Sequence, residues 1–153
     1  MSQFNVARST VVVADPPRIH GLIDDLHQWQ QWSPWEGIDP ELQREYSGAD
    51  VGTGARYTWS GNKKAGSGSM EITDSVPDRI DVTVRFLKPF KATNAVTFTL
   101  APVAAGTEVT WSMSGEQRGL MGIVGRFLPM DKLIGKDFEK GLASLKARAE
   151  QPA

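Results

Sequence analysis

The sequence predicts an α+β domain: a curved antiparallel sheet of about six to seven strands wrapped around one long C-terminal helix, with two short helices after the first strand. Three observations carry this prediction. Five short runs alternate apolar with polar residues, namely Tyr57/Trp59, Met70/Ile72, Ile80/Val82/Val84/Phe86, Val96/Phe98/Leu100 and Val109/Trp111/Met113. A period of two is that of a half-buried strand, so these residues would share one face of a single sheet. Short loops separate the runs, which makes successive strands antiparallel neighbours. The pattern then changes: Ile134, Phe138, Leu142, Leu145 and Ala149 recur at helical spacing over residues 130–150, with Lys132, Lys136, Glu139, Lys140, Lys146 and Arg148 mostly on the other flanks.

Each element has a local reason. Residues 5–14, rich in Val, Ser and Thr, form a strand that stops at Asp15-Pro16-Pro17, because prolines cannot continue a ladder. Asp15 then serves as N-cap and Pro16 as first helical residue, where its missing N–H matters least. Ile19, Leu22, Ile23, Leu26 and Trp29 continue at helical spacing, until Trp32-Ser33-Pro34-Trp35 redirects the chain. A strand over residues 42–47 precedes a glycine-rich loop, 48–54, and the alternating run 56–60. The hairpin loop 60–66 leads to a strand from 69 to 73, and Val76-Pro77-Asp78 turns the chain into residues 79–86. Lys88-Pro89-Phe90-Lys91 and Ala104-Ala105-Gly106 turn it again, bracketing strands at 94–100 and 108–114. Between these strands and the last helix, Leu120, Met121, Ile123, Val124, Phe127 and Leu128 are interspersed with Gly119, Gly122 and Gly125, a composition that fits either a lid or a tightly packed turn.

Length and composition bound what such a domain does. At 153 residues the chain fits a single domain spanning 1–153. The 17 Lys+Arg balance 18 Asp+Glu without a basic block, so no nucleic-acid partner and no anionic membrane surface is expected. Cysteine is absent, which removes disulfides, thiolate nucleophiles and cysteine-containing zinc sites and suits a reducing cytoplasm, the expected location. The N-terminus shows no basic region followed by an apolar core, hence no expected secretory signal. The most apolar stretch, 119–130, carries Arg126 and Pro129 and falls short of the ~20 residues that span a bilayer, so no stable membrane insertion is expected.

Several motifs resemble the helix-grip superfamily, which includes START lipid-transfer domains and pollen-allergen-like proteins. They are Ala14-Asp15-Pro16-Pro17, Trp29-Gln30-Gln31-Trp32-Ser33-Pro34-Trp35, Gly52-Thr53-Gly54-Ala55 before Tyr57-Thr58-Trp59, and Gly66-Ser67-Gly68 before Met70. Gly106-Thr107-Glu108-Val109-Thr110-Trp111 and Phe138-Glu139-Lys140-Gly141-Leu142-Ala143-Ser144-Leu145 complete the set. The chain is most similar to the polyketide cyclase/dehydrase-like group (SRPBCC) over roughly residues 9–150. The resemblance implies the helix-grip fold and a small hydrophobic or amphipathic ligand, such as a lipid, a polyketide-like molecule or an isoprenoid, held between sheet and C-terminal helix with no cofactor. Some relatives are enzymes and others carriers or sensors, so whether this chain catalyses a reaction stays open.

The candidate ligand-binding residues are the bulky inward positions: Trp35, Tyr57, Trp59, Met70, Phe86, Phe98, Trp111, Met113, Met121, Ile134 and Phe138. Tyrosine and tryptophan set a polar atom beside an apolar body, and methionine adapts to different shapes; each position would serve equally as core packing. The catalytic alternative is a cyclase, dehydratase or hydrolase using the Tyr57 hydroxyl or one inward acid. Glu71, Asp81, Arg85 and Glu108 occupy the polar half of their strands and should face solvent, unless a bulge shifts the register by one. A third reading is a protein-interaction module docking a partner through sheet or lid. His20, Asp24 and His27 fall at i, i+4 and i+7, a metal-like spacing, but opposite the apolar stripe they should face solvent and bind no metal. No Gly-x-Ser-x-Gly elbow is present, and Gly52-Thr53-Gly54 precedes a strand rather than the helix a phosphate loop requires.

Overall fold

In the computed structural model, residues 3–35, 39–63, 65–88, 91–116 and 130–151 are described. They form strands β1 (Gln3–Val12), β2 (Gln43–Gly48), β3 (Ala55–Ser60), β4 (Ser67–Val76), β5 (Arg79–Lys88), β6 (Ala92–Val103) and β7 (Gly106–Glu116). The helices are α1 (Pro16–Ile23), a 3₁₀ helix (Leu26–Gln31) and α2 (Met130–Glu150). One antiparallel sheet holds all these strands in the order β1-β7-β6-β5-β4-β3-β2, a meander from β2 to β7 closed by β1. The expected lid over residues 119–128, with Met121, lies outside the described residues, as do Pro89 and Phe90 of the β5–β6 turn.

The period-two runs share one face as expected. Tyr57 pairs with Met70, Met70 with Val84, Ile72 with Val82 and Val82 with Val96; Phe98 pairs with Trp111 and Val96 with Met113. Strands β3 to β7 outrun the sequence expectation, β4 and β6 most of all, because ladder hydrogen bonds continue past the last alternating apolar residue, whereas β1 ends at Val12, two residues short of its expected end. A register shift at Thr73 in β4 flips the phase downstream, so Ser75 pairs with Ile80 and joins the inner face. A bulge thus turns one polar side chain inward, and that side chain is Ser75. Glu71 stays on the outer face, beside Arg56 at 3.6 Å and Arg85 at 4.0 Å.

The stripe from Ile19 to Trp29 is not one helix. Asp15 is the N-cap of α1, but its carbonyl rather than its side chain meets the first-turn N–H groups of Arg18 and Ile19. The helix ends at Asp24, and Asp25 starts the 3₁₀ helix by accepting from the His27 N–H at 3.0 Å. The break lets two indoles fold back: Trp29 Nε1 donates to Ile23 O and Trp32 Nε1 to Leu22 O, each at 2.7 Å. These indoles satisfy carbonyls that the end of a helix leaves without intrahelical partners.

Helix α2 packs along β1, the edge strand, and covers groups that an edge leaves unpaired. Lys146 Nζ donates to Val11 O at 3.0 Å, the Val13 N–H donates to Glu150 at 2.8 Å, and Arg8 Nε donates to Glu139 at 2.9 Å. Arg18 of α1 reaches the C-terminal carbonyls of Arg148 (3.2 Å) and Ala149 (3.4 Å), where a cation also complements the helix dipole. Gly141 lets α2 settle against the Pro34 and Trp111 rings, since a Cβ there would sit 2.9 Å and 2.7 Å from them. The other edge, β2, is short and carries Gln43, Arg44 and Glu45, which discourage edge-to-edge pairing.

Candidate ligand-binding face

The inner face divides into two parts of different character. At one end five rings pack on one another. Trp111 stacks on Phe138 (centroids 4.1 Å apart, 9° between planes) and on Phe98 (5.0 Å, 27°). Trp29 and Trp32 meet Phe98 and Trp111 edge-on at 5.6–6.3 Å. Phe98, Trp111 and Phe138 are essentially without solvent exposure. Trp35 caps the group, edge-on to Trp111 and Phe138, with its Nε1 donating to Asp137 at 3.2 Å. These four candidate residues therefore have protein against their rings, and side chains close the gap that a curved sheet and a single helix leave.

The other end, over β3, β4 and β5, is built differently. Tyr46, Tyr57, Trp59 and Phe86 form a chain of rings across four strands at 5.1, 6.1 and 5.8 Å. Gly68, the cross-strand partner of Trp59, makes room for the indole: a Cβ there would lie 2.6 Å from the ring. Trp59 Nε1 donates to Ala65 O at 3.0 Å, which fixes the ring across the sheet. Trp59 and Phe86 remain half-buried, Met70 and Met113 line the same face, and Ile134 of α2 packs half-buried against the core.

One polar side chain on this face escaped the sequence analysis. Asn94 on β6 is only 7% exposed and pairs in register with Val84. Its Nδ2 makes a long contact with Met113 Sδ at 3.7 Å, and its Oδ1 has no hydrogen-bond partner. The side chain fits because residue 115 is glycine: a Cβ there would be 2.1 Å from Oδ1. The signal was present in the sequence, since Asn94 is in phase with Val96, Phe98 and Leu100 and a period of two places it inward. The Trp111 Nε1, inside the ring stack, likewise has no acceptor.

His20 and Asp24 correct an expectation. They are not on a solvent-facing surface, because the Thr73 bulge and the β4–β5 turn close over α1. His20 Nδ1 lies 3.4 Å from Asp24 Oδ2, and His20 Nε2 lies 2.9 Å from Val76 O and 3.2 Å from Ser75 Oγ, with both His20 and Asp24 side chains less than a fifth exposed. The set has the members of a nucleophile–base–acid relay, but a carbonyl oxygen only accepts. The Nε2 proton is therefore committed to Val76 O, and His20 cannot take a proton from Ser75. His27 does lie outside, stacked on Tyr46 at 3.8 Å and 3.0 Å from Asp25 Oδ1.

Burial raises the Asp24 carboxyl above its ordinary value, opposed in part by His20. Between the unfolded and folded values the folded chain binds more protons, so this group's stability contribution is complete below the unfolded value and is lost as pH rises through the folded one. Glu150, lowered by its hydrogen bonds from Lys146 and the Val13 N–H, acts with the opposite sign. Asp24→Asn keeps a hydrogen-bonding group beside His20 and removes the Asp24 carboxyl. Thermal unfolding of both proteins from mildly acidic pH to neutrality is expected to show the variant gaining on wild type as pH rises; a constant difference would count against this account.

Among the described residues no three His, Cys, Asp or Glu side chains are grouped to hold a metal ion, and no helix is long and apolar enough to cross a membrane. A surface depression of about 530 Å³ lies at the opposite rim, between residues 13–16 and 102–106, away from the ring chain.

The family described as polyketide cyclase / dehydrase and lipid transport matches residues 3–150. No curated protein matches the chain in sequence. Solved structures share its fold at low identity. Protein CV1439 from Chromobacterium violaceum is 18% identical with a TM-score of 0.68, covering 97% of this chain and 99% of that one. TTHA0849 from Thermus thermophilus is 20% identical with a TM-score of 0.65, covering 95% and 97%. DynU16, encoded in the dynemicin biosynthetic locus, is 19% identical with a TM-score of 0.65, covering 96% of this chain and 47% of that one. At these identities the likeness is one of fold.

Proposed function

This chain belongs to the polyketide cyclase / dehydrase and lipid transport family, and on that basis we propose that it binds a small hydrophobic or amphipathic molecule, of lipid, polyketide-like or isoprenoid character, against the inner face of β3–β6. The observation that carries this reading is the contrast between the two ends of that face. Where Phe98, Trp111 and Phe138 stack, ring packs on ring. Around Tyr57, Trp59, Met70, Phe86 and Met113 the lining includes half-buried rings, two methionines and a buried amide oxygen without a partner. Apolar lining with a few placed polar groups is the usual composition of a small-molecule site. Burial of apolar surface, about 25 cal/mol per Å², would supply most of the affinity. Tyr57, Trp59, Met70, Phe86, Met113 and Ile134 are the ligand-contacting residues in this proposal, whereas Phe98, Trp111 and Phe138 hold the framework.

Carriage rather than catalysis is the reading the described residues favour. Glu71, one of the acids that the enzyme alternative could have turned inward, is paired with arginines on the outer face; Tyr57, its other candidate, lies inward among aromatic rings, and the His20 imidazole is committed to a backbone carbonyl. The test is native mass spectrometry of gently purified protein, followed by extraction and identification of bound material. A discrete co-purifying apolar molecule is the expected result. Protein that is empty and also ignores a panel of fatty acids and aromatic polyketides would overturn the proposal.

A further inference from the structure

We infer that the ligand is an uncharged, hydroxyl-bearing apolar molecule whose hydroxyl donates to Asn94 Oδ1; this rests on the small-molecule reading above and narrows it to a ligand class. A carboxamide removed from water normally finds partners for both its ends, and an acceptor left bare costs stability. Asn94 is more than nine-tenths buried, yet its only contact on the nitrogen side is a thioether sulfur and its oxygen has none. Its neighbours on the inner face are Val84 across the strand, Met113 and, around Gly115, the Phe4 ring. None of these described neighbours can serve the oxygen. The donor assigned to it is one that the ligand brings.

The surroundings also decide the charge of that donor. A carboxylate would place two acceptors against an acceptor, beside described neighbours that include no cation to offset its desolvation. Among the described residues the inward arginines stand away from Asn94: Arg44 on β2 is four strands from β6, or roughly 19 Å at ~4.8 Å per strand, and Arg8 on β1 is level with Trp111 rather than with Gly115 and is paired with Glu139. An ammonium would lose its hydration for a single amide oxygen. A hydroxyl fits, because it donates to Oδ1 while an apolar skeleton lies against the apolar side chains around Met113. Gly115 is part of the same device, since any side chain there would occupy the place of Oδ1.

The experiment compares 2-naphthol, the near-isosteric 2-methylnaphthalene and 2-naphthoate by displacement of the neutral fluorophore N-phenyl-1-naphthylamine. The proteins are wild type, Asn94→Leu and Gly115→Ala. Wild type is expected to prefer 2-naphthol to 2-methylnaphthalene by on the order of tenfold, the scale of one buried hydrogen bond, and to bind 2-naphthoate most weakly. In Asn94→Leu the preference should fall to within about twofold, chiefly through loss of naphthol affinity. Gly115→Ala leaves Asn94 in place but displaces its carboxamide, so the same collapse is expected there even if the leucine variant fails to fold. Equal binding of the two neutral compounds to wild type, a preference that survives both substitutions, or tighter binding of naphthoate would overturn the Asn94 assignment while leaving the container reading intact. Failure of the fluorophore and all three compounds to bind would overturn both.

Discussion

Phe138→Ala is expected to lower the free energy of unfolding by about 3–5 kcal/mol, the range for truncating a buried phenylalanine. The upper part of that range applies because the surrounding rings have little freedom to relax into the space. Phe138 stacks at 4.1 Å on Trp111, which is itself held by Phe98 on one side and by Trp32 and Trp35 edge-on. Trp32 is tied in turn by its indole N–H to Leu22 O. A close-packed group of this kind collapses little when one member is removed, so the cavity term adds to the lost transfer energy. Urea unfolding at neutral pH, read by tryptophan fluorescence, measures it. The variant should also gain affinity for benzene or a similar small aromatic, as apolar engineered cavities do. A loss below about 1 kcal/mol would mean that this end of the interior is not packed as described, and would reopen Phe98, Trp111 and Phe138 as ligand contacts.

Gly141→Ala should destabilise by about 1–3 kcal/mol, against the sign of helix propensity. Alanine is preferred to glycine inside a helix by about 1 kcal/mol, and residue 141 lies well within α2. The added Cβ, however, would sit 2.7 Å from Trp111 Cζ3 and 2.9 Å from Pro34 Cδ. Both obstacles are parts of rigid rings, so α2 itself must shift away from the sheet. Gly135→Ala in the same helix is the control. There the obstacle is the guanidinium of Arg8, the far end of a flexible side chain, which can swing aside at the cost of its ion pair with Glu139. Exposed pairs of that kind contribute little, so Gly135→Ala should be near neutral. Equal effects at the two positions would show that backbone propensity, not contact with the Trp111 ring, governs glycine in α2.

Much of the fold was legible because its signals are local. Alternation in residues 80–86 and 109–113 set which side chains enter the core, and β5 and β7 run through those segments. The Asp15-Pro16 step placed the start of α1, and the spacing from Ile134 to Ala149 placed α2. The break after Asp24 was not legible. Ile19 to Trp29 keeps a helical stripe, yet the indoles of Trp29 and Trp32 gain more by folding back onto the carbonyls of Leu22 and Ile23 than an unbroken helix would allow. His20 and Asp24 were placed in solvent for the same reason: the stripe describes α1 alone and is blind to the β4–β5 turn that covers its other side.

The candidate site was legible as a set of residues but not as an arrangement. Periodicity puts Trp59, Phe86, Phe98 and Trp111 on one face without distinguishing them, because all are bulky, apolar and in phase. The tertiary structure separates them. Phe98 and Trp111 lie where the segment after the 3₁₀ helix and α2 both press onto the sheet, whereas Trp59 is seated on Gly68 of the neighbouring strand.

Spacing and composition thus settle the sheet, its inward face, the terminal helix and the balance of charge, since each follows from patterns within a few residues or from simple counts. Three outcomes needed the folded chain: which rings fill the interior, that Thr73 bulges and brings Ser75 to His20, and that the Asn94 oxygen is buried without a partner beside Gly115. They depend on contacts between strands and helices far apart in the chain, where packing and hydrogen-bond satisfaction are resolved jointly and no local pattern records the result.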